Sequence, residues 1–301
     1  MLEKIDIQDI INIAKQAGDA IMKIYQKDFD VEYKADQSPL TEADKAANKI
    51  IEEGLEALKL PTTHHPLPTK NNSPPTPSIP VLSEEGKDIP YEDRKGWEYL
   101  WLVDPVDGTK EFVKKNDEFT VNIALIHKGE PVLGVVYAPA LNQLYYAKKG
   151  TGAFKQEVIN GQIQTHQLPR PKKRKEGEII VVASKSHMSD ETKQFIEQLT
   201  THYSLPTKND PLLTTQSIGS SLKICLVAEG EADIYPRLGP TMEWDTGAAH
   251  AVVLEAGSKL ERYAHGEYQP HVYNKPDLLN DWFVVKSFKD PEFKWGYSFN
   301  T

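Results

Sequence analysis

Apolar residues between positions 6 and 26 recur as Ile7, Ile10, Ile13, Ala14, Ala17, Ile21 and Ile24. The spacing follows the 3.6-residue period and predicts an amphipathic helix. A second helix is expected to open at Thr41-Glu-Ala-Asp44 and to run through Ile50, Ile51, Leu55 and Leu58. Thr41 and Asp44 are spaced as in a capping box, with Asp in place of the usual Glu or Gln. Spacing alone leaves open whether Asp44 does anything beyond capping. Residues 61–80, PTTHHPLPTKNNSPPTPSIP, carry no period and read as a surface loop, with His64 and His65 solvated.

From Trp97 onward the pattern becomes that of strands: 99–104, 120–127, 131–137 and 143–147, with Lys128-Gly129 as a hairpin turn. A basic stretch, PRPKKRKEG at 169–177, reads as a solvated junction loop. Beyond it the elements alternate: strand 179–183, helix 190–200, a helical stretch 220–228, strand 232–235, helix 246–255, and strands near 259–262 and 282–286. Alternation of this kind predicts a layered α/β arrangement. The expected division is an N-terminal α+β domain, 1–168, and a C-terminal α/β domain, 169–301.

Composition narrows the function classes. The chain has 301 residues, 39% hydrophobic and 26% charged, as in ordinary globular proteins. No apolar run approaches the roughly 20 residues needed to span a bilayer, and MLEKIDIQDI does not read as a secretory signal. The single cysteine, Cys225, sits in LKICLVA and reads as a buried hydrophobe, which fits a reducing, cytoplasmic setting. Peripheral membrane contact stays open. A net charge of −9 argues against a nucleic-acid partner. An acidic protein can still bind a phosphorylated small molecule where metal ions supply the positive charge.

Four acids stand at element ends. Glu84 follows a short apolar segment in VLSEEG, Asp104 and Asp107 end a strand in DPVDGT, and Asp245 opens a helix in WDTGAAH. Singly, each has a plain reading as a loop acid, a turn former or an N-cap. Together they match what hard divalent cations require, carboxylate oxygens in octahedral geometry. A D-x-x-D turn can aim two carboxylates into one site, the Val106 carbonyl can join them, and Asp245 would close the cage. Gly108 lets the backbone approach a ligand. If a helix follows, the amides of Gly108 and Thr109 point at an anion. The segment suits metal-assisted hydrolysis of phosphate esters.

DPVDGT, with SEE upstream and WDTGAAHAVVLEAG downstream, resembles the inositol monophosphatase superfamily of Mg²⁺-dependent, lithium-sensitive phosphatases. GTKEF at 108–112, ASKSH at 183–187 and IGSSLKICLVAEGEADIYPR at 218–237 narrow the resemblance to 3′(2′),5′-bisphosphate nucleotidases of the CysQ type. The resemblance implies a layered αβαβα sandwich. It implies removal of the 3′-phosphate of 3′-phosphoadenosine 5′-phosphate, and possible action on the phosphosulfate, in sulfur metabolism, with two or three Mg²⁺ ions.

Residue by residue, it makes Glu84, Asp104, Asp107, Asp245 and the Val106 carbonyl metal ligands, with Glu84 also serving the attacking water. Thr109 paired with Asp44 becomes the dyad that orients and deprotonates that water. Gly108 and Thr109 bind phosphate, while His187, Ser220, Lys223 and Arg237 contact the adenosine and the second phosphate. Lys110 fills a typical place without an assigned role. A monomer or weak homodimer acting on a small nucleotide is expected. Two alternatives stand beside this reading: an inositol or sugar phosphatase of the same superfamily, and a non-catalytic binder on its scaffold.

Overall fold

The computed structural model describes residues 1–27, 31–33, 39–58, 78–174, 178–183, 188–203, 213–264 and 266–287. Most of the expected 61–80 loop, with His64 and His65, lies outside these residues, as do 175–177 and His187.

Helix α1 spans Ile7–Tyr25, and Asp6 caps it by accepting from Gln8 N at 3.0 Å. Strands β1 (Val31–Tyr33) and β2 (Pro39–Thr41) pair antiparallel and lead into α2, Glu42–Ala57. The expected capping box forms: Asp44 accepts from Thr41 N at 2.8 Å, and Thr41 Oγ1 accepts from Ala43 N at 3.1 Å. Next come β3 (Val81–Ser83), the one-turn helix α3 (Tyr91–Arg94), β4 (Tyr99–Asp107) and α4 (Thr109–Val113). A meander then runs through β5 (Thr120–His127), β6 (Glu130–Ala138), β7 (Gln143–Lys148), β8 (Gly152–Ile159) and β9 (Gln162–Gln167). Lys128 and Gly129 form the expected turn, both with positive φ, 50° and 81°. β3 to β9 lie in chain order in one seven-stranded sheet, parallel only between β3 and β4.

The second half continues with β10 (Ile179–Ala183), α5 (Asp190–Tyr203), β11 (Leu213–Ser217), α6 (Leu222–Glu229) and β12 (Ile234–Arg237). A 3₁₀ turn at Glu243–Asp245 precedes α7 (Gly247–Glu255), followed by β13 (Lys259–Ala264), β14 (Glu267–Pro270) and β15 (Phe283–Lys286). These strands form a six-stranded sheet in the order β11-β10-β12-β15-β13-β14.

Packing stacks the elements in five layers. Ile10, Ile21 and Ile51 of α1 and α2 share a core with Trp101, Val103, Ile123 and Leu125 on one face of the first sheet. Leu100, Leu102, Ala124 and Ile126 on its other face meet Ile224, Ala248 and Val252 of α6 and α7, in a cluster that includes Val182, Tyr235 and Val285 of the second sheet. Phe195 and Leu199 of α5 cover that sheet's far side through Val181, Ile234 and Val284. The arrangement is the expected αβαβα sandwich. β4 is buried on both faces, which is why Tyr99–Val103 reads as an unbroken apolar run. Helix α7 lies between two sheets and is apolar almost all round for the same reason.

Close contact between α7 and the first sheet depends on Gly134 of β6, where a Cβ would come 2.1 Å from the Ala248 carbonyl oxygen. Gly134→Ala must push the helix away from the sheet. We expect it to destabilise the protein by about 1–3 kcal/mol, read from urea unfolding; a neutral result would show that the layers can separate freely.

Two sequence expectations need correction, and several strands, β9 among them, were not anticipated. β4 runs past residue 104 to Asp107, because its pairing with β5 resumes beyond an irregularity. The edge strand β9, QIQTHQ, carries no apolar strand signal, because its one aliphatic residue, Ile163, is exposed and its partly buried positions are the polar Gln164 and His166. The described part of the basic stretch is not simply solvated. Arg174 is mostly buried, pairs with Asp233 and donates to the Gly230 carbonyl, while Lys172 reaches Glu231 at 3.0 Å. No helix among the described residues is long and apolar enough to cross a membrane.

Candidate active site

Asp104 and Asp107 are three residues apart, so a regular strand would send them to opposite faces of the sheet. The ladder between β4 and β5 shifts register between these two residues. Pro105, with no N–H to give a ladder, sits in the shift. Asp104 Oδ1 accepts from Val106 N at 3.0 Å, closing a local turn. Both carboxylates consequently line one cleft of about 260 Å³. Gly108 follows with φ of 92°, and a Cβ there would lie 3.1 Å from the Glu118 carbonyl and 3.4 Å from Ser220 Cβ. The positive φ disfavours any side chain, and the space left for one is tight. The short helix anticipated after Gly108 is α4.

Glu84 enters from the end of β3, where its N–H donates to the Val103 carbonyl at 3.1 Å and extends the parallel pairing beside Asp104. Asp245 ends the 3₁₀ turn ahead of α7, and its Oδ2 accepts from Met242 N at 2.8 Å. Glu84, Asp104 and Asp245 each offer an oxygen, and the three oxygens lie within 4.8 Å of one another. Burial pushes the Asp104 carboxyl well above the ordinary carboxylate range, and the charges of Glu84, Asp107, Asp245 and Asp44 push it further. Burial, then Asp107 and Glu84, does the same to Asp245. An all-oxygen set under mutual repulsion fits a hard divalent cation.

Asp107 faces the cleft but stands outside this triad. Its Oδ2 accepts from Ser221 N at 2.6 Å, Ser221 Oγ at 2.7 Å, Asn122 Nδ2 at 3.3 Å and Thr120 Oγ1 at 3.4 Å. The Val106 carbonyl, expected to be free, accepts from Thr109 Oγ1 at 3.2 Å and keeps a second lone pair. Thr109 Oγ1 also lies 3.5 Å from Asp44 Oδ1. The other Asp44 oxygen is held by Thr41 N and, at 2.6 Å, by Thr41 Oγ1. Asp44 therefore caps α2 with one oxygen and meets Thr109 with the other. Burial raises its pKa against the opposing hydrogen bonds from Thr41.

The same cleft holds cations. Lys223, in the first turn of α6, is buried, and burial lowers its pKa to about 8, with Asp107 opposing and Arg237 reinforcing the shift. Arg237 lines the cleft and gives Nη2 to the Pro240 carbonyl at 2.8 Å. Ser220 lines it too, with φ of 48° and a buried Oγ that finds no partner among the described residues.

Ser221, Asn122 and Thr120 are the residues that sequence reasoning missed. Ser221 Oγ shares its proton between Asp107 Oδ2 and the Asp245 carbonyl, 2.6 Å away, and accepts from Asn122 Nδ2 at 2.9 Å. It thereby joins the two acids. A signal was present for Asn122: it is the polar residue inside the buried run of TVNIALIH. Ser221 carried none.

The sequence pattern of the inositol monophosphatase family matches residues 2–287. A 3′(2′),5′-bisphosphate nucleotidase CysQ of Salmonella typhimurium is 44% identical over 291 residues, covering 96% of this chain and 98% of that protein. Its namesake in Haemophilus influenzae is 33% identical over 290 residues, covering 96% and 94%. The crystal structure of CysQ from Bacteroides thetaiotaomicron, described as a bacterial member of the inositol monophosphatase family, superposes with a TM-score of 0.75. It is 42% identical and covers 93% of this chain and 96% of that one.

Proposed function

The chain belongs to the inositol monophosphatase family, and we propose that it is a Mg²⁺-dependent 3′(2′),5′-bisphosphate nucleotidase. Its reaction is hydrolysis of the 3′-phosphate of 3′-phosphoadenosine 5′-phosphate to AMP and phosphate. One observation carries this reading: a single cleft contains both the acidic triad and a cationic pair, Lys223 and Arg237. A substrate with one phosphate has no use for the second group. Full-length similarity to proteins described as such nucleotidases supports it. The same reading takes the enzyme to be cytoplasmic, and a monomer or weak homodimer.

Glu84, Asp104 and Asp245, with Asp107 and the Val106 carbonyl, would hold two or three Mg²⁺ ions. Bound there, such ions supply positive charge to the phosphoryl oxygens and acidify water. The chain's residues do the rest. Thr109 Oγ1, directed by Asp44 Oδ1, orients the attacking water and takes its proton as it passes its own to Asp44, while solvent returns a proton to the departing 3′-oxygen. Burial raises the proton affinity of Asp44, which suits it as the final acceptor. Backbone amides at Gly108 and Thr109 face the transferred phosphoryl group. Lys223 and Arg237 pair with the 5′-phosphate, Ser220 Oγ donates to the nucleotide, and His187, outside the described residues, meets the adenosine.

Lys223 is charged below about pH 8 and neutral above it. KM for the bisphosphate is therefore expected to climb as pH rises through 8, and Lys223→Met should raise KM about tenfold or more at pH 7 and abolish that climb. Initial rates between pH 6.5 and 9 read both. A pH-independent KM in the parent enzyme would remove Lys223 from the phosphate.

Phosphate release from 3′-phosphoadenosine 5′-phosphate, inositol 1-phosphate and fructose 1,6-bisphosphate, with Mg²⁺ and with or without Li⁺, tests the assignment. The nucleotide should lead by about 10²-fold in kcat/KM. Equal release from inositol 1-phosphate would transfer the chain to the inositol phosphatases. Inertness toward every ester would leave a non-catalytic binder.

A further inference from the structure

Asp245 reaches the acidic triad from a turn between β12 and α7 that lies in neither sheet. A second stretch, 278–280, clasps that turn. Glu243 N donates to the Leu278 carbonyl at 2.9 Å, Met242 pairs antiparallel with Leu279, and Asn280 N donates to the Thr241 carbonyl at 2.8 Å. The Asn280 side chain completes the clasp. Its Nδ2 lies 2.7 Å from the Met242 carbonyl oxygen, 3.1 Å from Thr241 Oγ1 and 3.3 Å from Thr246 Oγ1. These acceptors stand on both sides of Asp245 in the chain. Met242, held through its carbonyl, gives its own N–H to Asp245 Oδ2.

The orientation of the amide is determined. A carbonyl oxygen at 2.7 Å accepts only, so the NH₂ end must face Met242. At 4% exposure, Asn280 has no solvent to take over these bonds if it is removed. It is also absent from the cleft lining, so it does not itself face the bound ions or substrate. Tyr273 OH adds a bond to Thr246 Oγ1 at 3.3 Å, Ser221 Oγ one to the Asp245 carbonyl, Thr246 Oγ1 one to the Glu243 carbonyl and Lys275 Nζ one to the Glu243 carboxylate. Among the described residues outside the turn, Asn280 is the side chain that bonds it on both sides of Asp245.

We infer that Asn280 is a positioning residue for metal binding: through the Met242 carbonyl and the Thr246 hydroxyl it holds the Asp245 carboxylate at the spacing from Glu84 and Asp104 that a divalent cation requires. This rests on the reading that the triad takes Mg²⁺. Partners bonded directly to a metal's ligands commonly alter its affinity about 10–100-fold. Asn280 acts one bond further out, through Met242, so the lower end of that range is expected.

Mg²⁺ titrations followed by melting temperature, without substrate, test the inference on the parent protein, Asn280→Ala and Asn280→Ser. The half-saturating Mg²⁺ concentration should rise about tenfold in the variants. Turnover should recover at high Mg²⁺, with KM for the phosphorylated substrate unchanged once the metal saturates. A parent protein that does not respond to Mg²⁺ would overturn the metal reading itself. A responsive parent with variants of equal half-saturation, however much less stable, would overturn the positioning role alone. Failure of both variants to fold at any Mg²⁺ concentration would also overturn it, by making Asn280 a purely structural residue.

Discussion

Asp104→Asn should lower turnover by on the order of 10³-fold or more and, in metal-free protein at neutral pH, raise the melting temperature. Both effects come from one cause. Asp104 is 1% exposed, and three other carboxylates of the cleft, with Asp44, raise its pKa beyond what burial alone does. A carboxyl whose folded pKa exceeds its unfolded value contributes stability that is fully present below the unfolded value, about 4, and is lost as pH rises through the folded one. The buried, neutral His250 and His271 act in the opposite sense, so the Asp104 contribution is read as the difference in melting temperature between parent and variant, which should widen as pH rises from about 4. Asparagine at 104 removes one charge from the crowd. It keeps an Oδ1 that can accept from Val106 N, so the turn survives. Melting curves in chelator from pH 5 to 8.5 should show the variant above the parent at the alkaline end, the two converging toward the acid end. Mg²⁺ should stabilise the parent strongly and the variant little. A metal-free variant less stable than the parent at pH 8 would mean that Asp104 serves the fold and not a cation.

The layers were legible because burial imposes periodicity. Ile10, Ile13, Ala14 and Ile21 had to face one way, and the doubly buried Tyr99–Val103 had to be apolar throughout. What escaped is what burial does not control. β9 at the sheet edge could be QIQTHQ without penalty. In the cleft, the acids were legible as charges placed where chain elements end. Their division of labour was not. Asp107 and Asp245 look alike in sequence, yet Ser221 draws one oxygen of Asp107 into a hydrogen-bond network, and Met242 turns Asp245 toward the triad. Both partners act through backbone groups or a single hydroxyl, which no residue spacing encodes. Lys223 shows the converse. Its identity is plain, but the burial that lowers its pKa belongs to the packing of α6 between the sheets.

That Asp44 serves two purposes leads to the remaining large effect. Thr109→Ala should reduce kcat by about 10²–10⁴-fold with little change in KM or unfolding midpoint, because the hydroxyl's bonds to Asp44 Oδ1, 3.5 Å, and to the Val106 carbonyl, 3.2 Å, are weak structurally. Thr109→Ser keeps the oxygen and should keep most of the rate. Asp44→Asn is the complementary change. An asparagine oxygen can still accept from Thr41 N, so the start of α2 is preserved, while the carboxylate proposed to accept the proton beside Thr109 is gone. If α2 capping were the whole role of Asp44, the variant would lose stability and keep kcat. On the present reading it keeps its stability within about 1 kcal/mol and loses turnover as Thr109→Ala does. The double variant decides whether the pair is one device. Residues that act on the same proton fail together, so Thr109→Ala/Asp44→Asn should be no slower than the worse single change. Losses that multiply, measured as kcat at saturating Mg²⁺ and substrate, would separate the two residues and leave the water to be oriented by something else in the cleft.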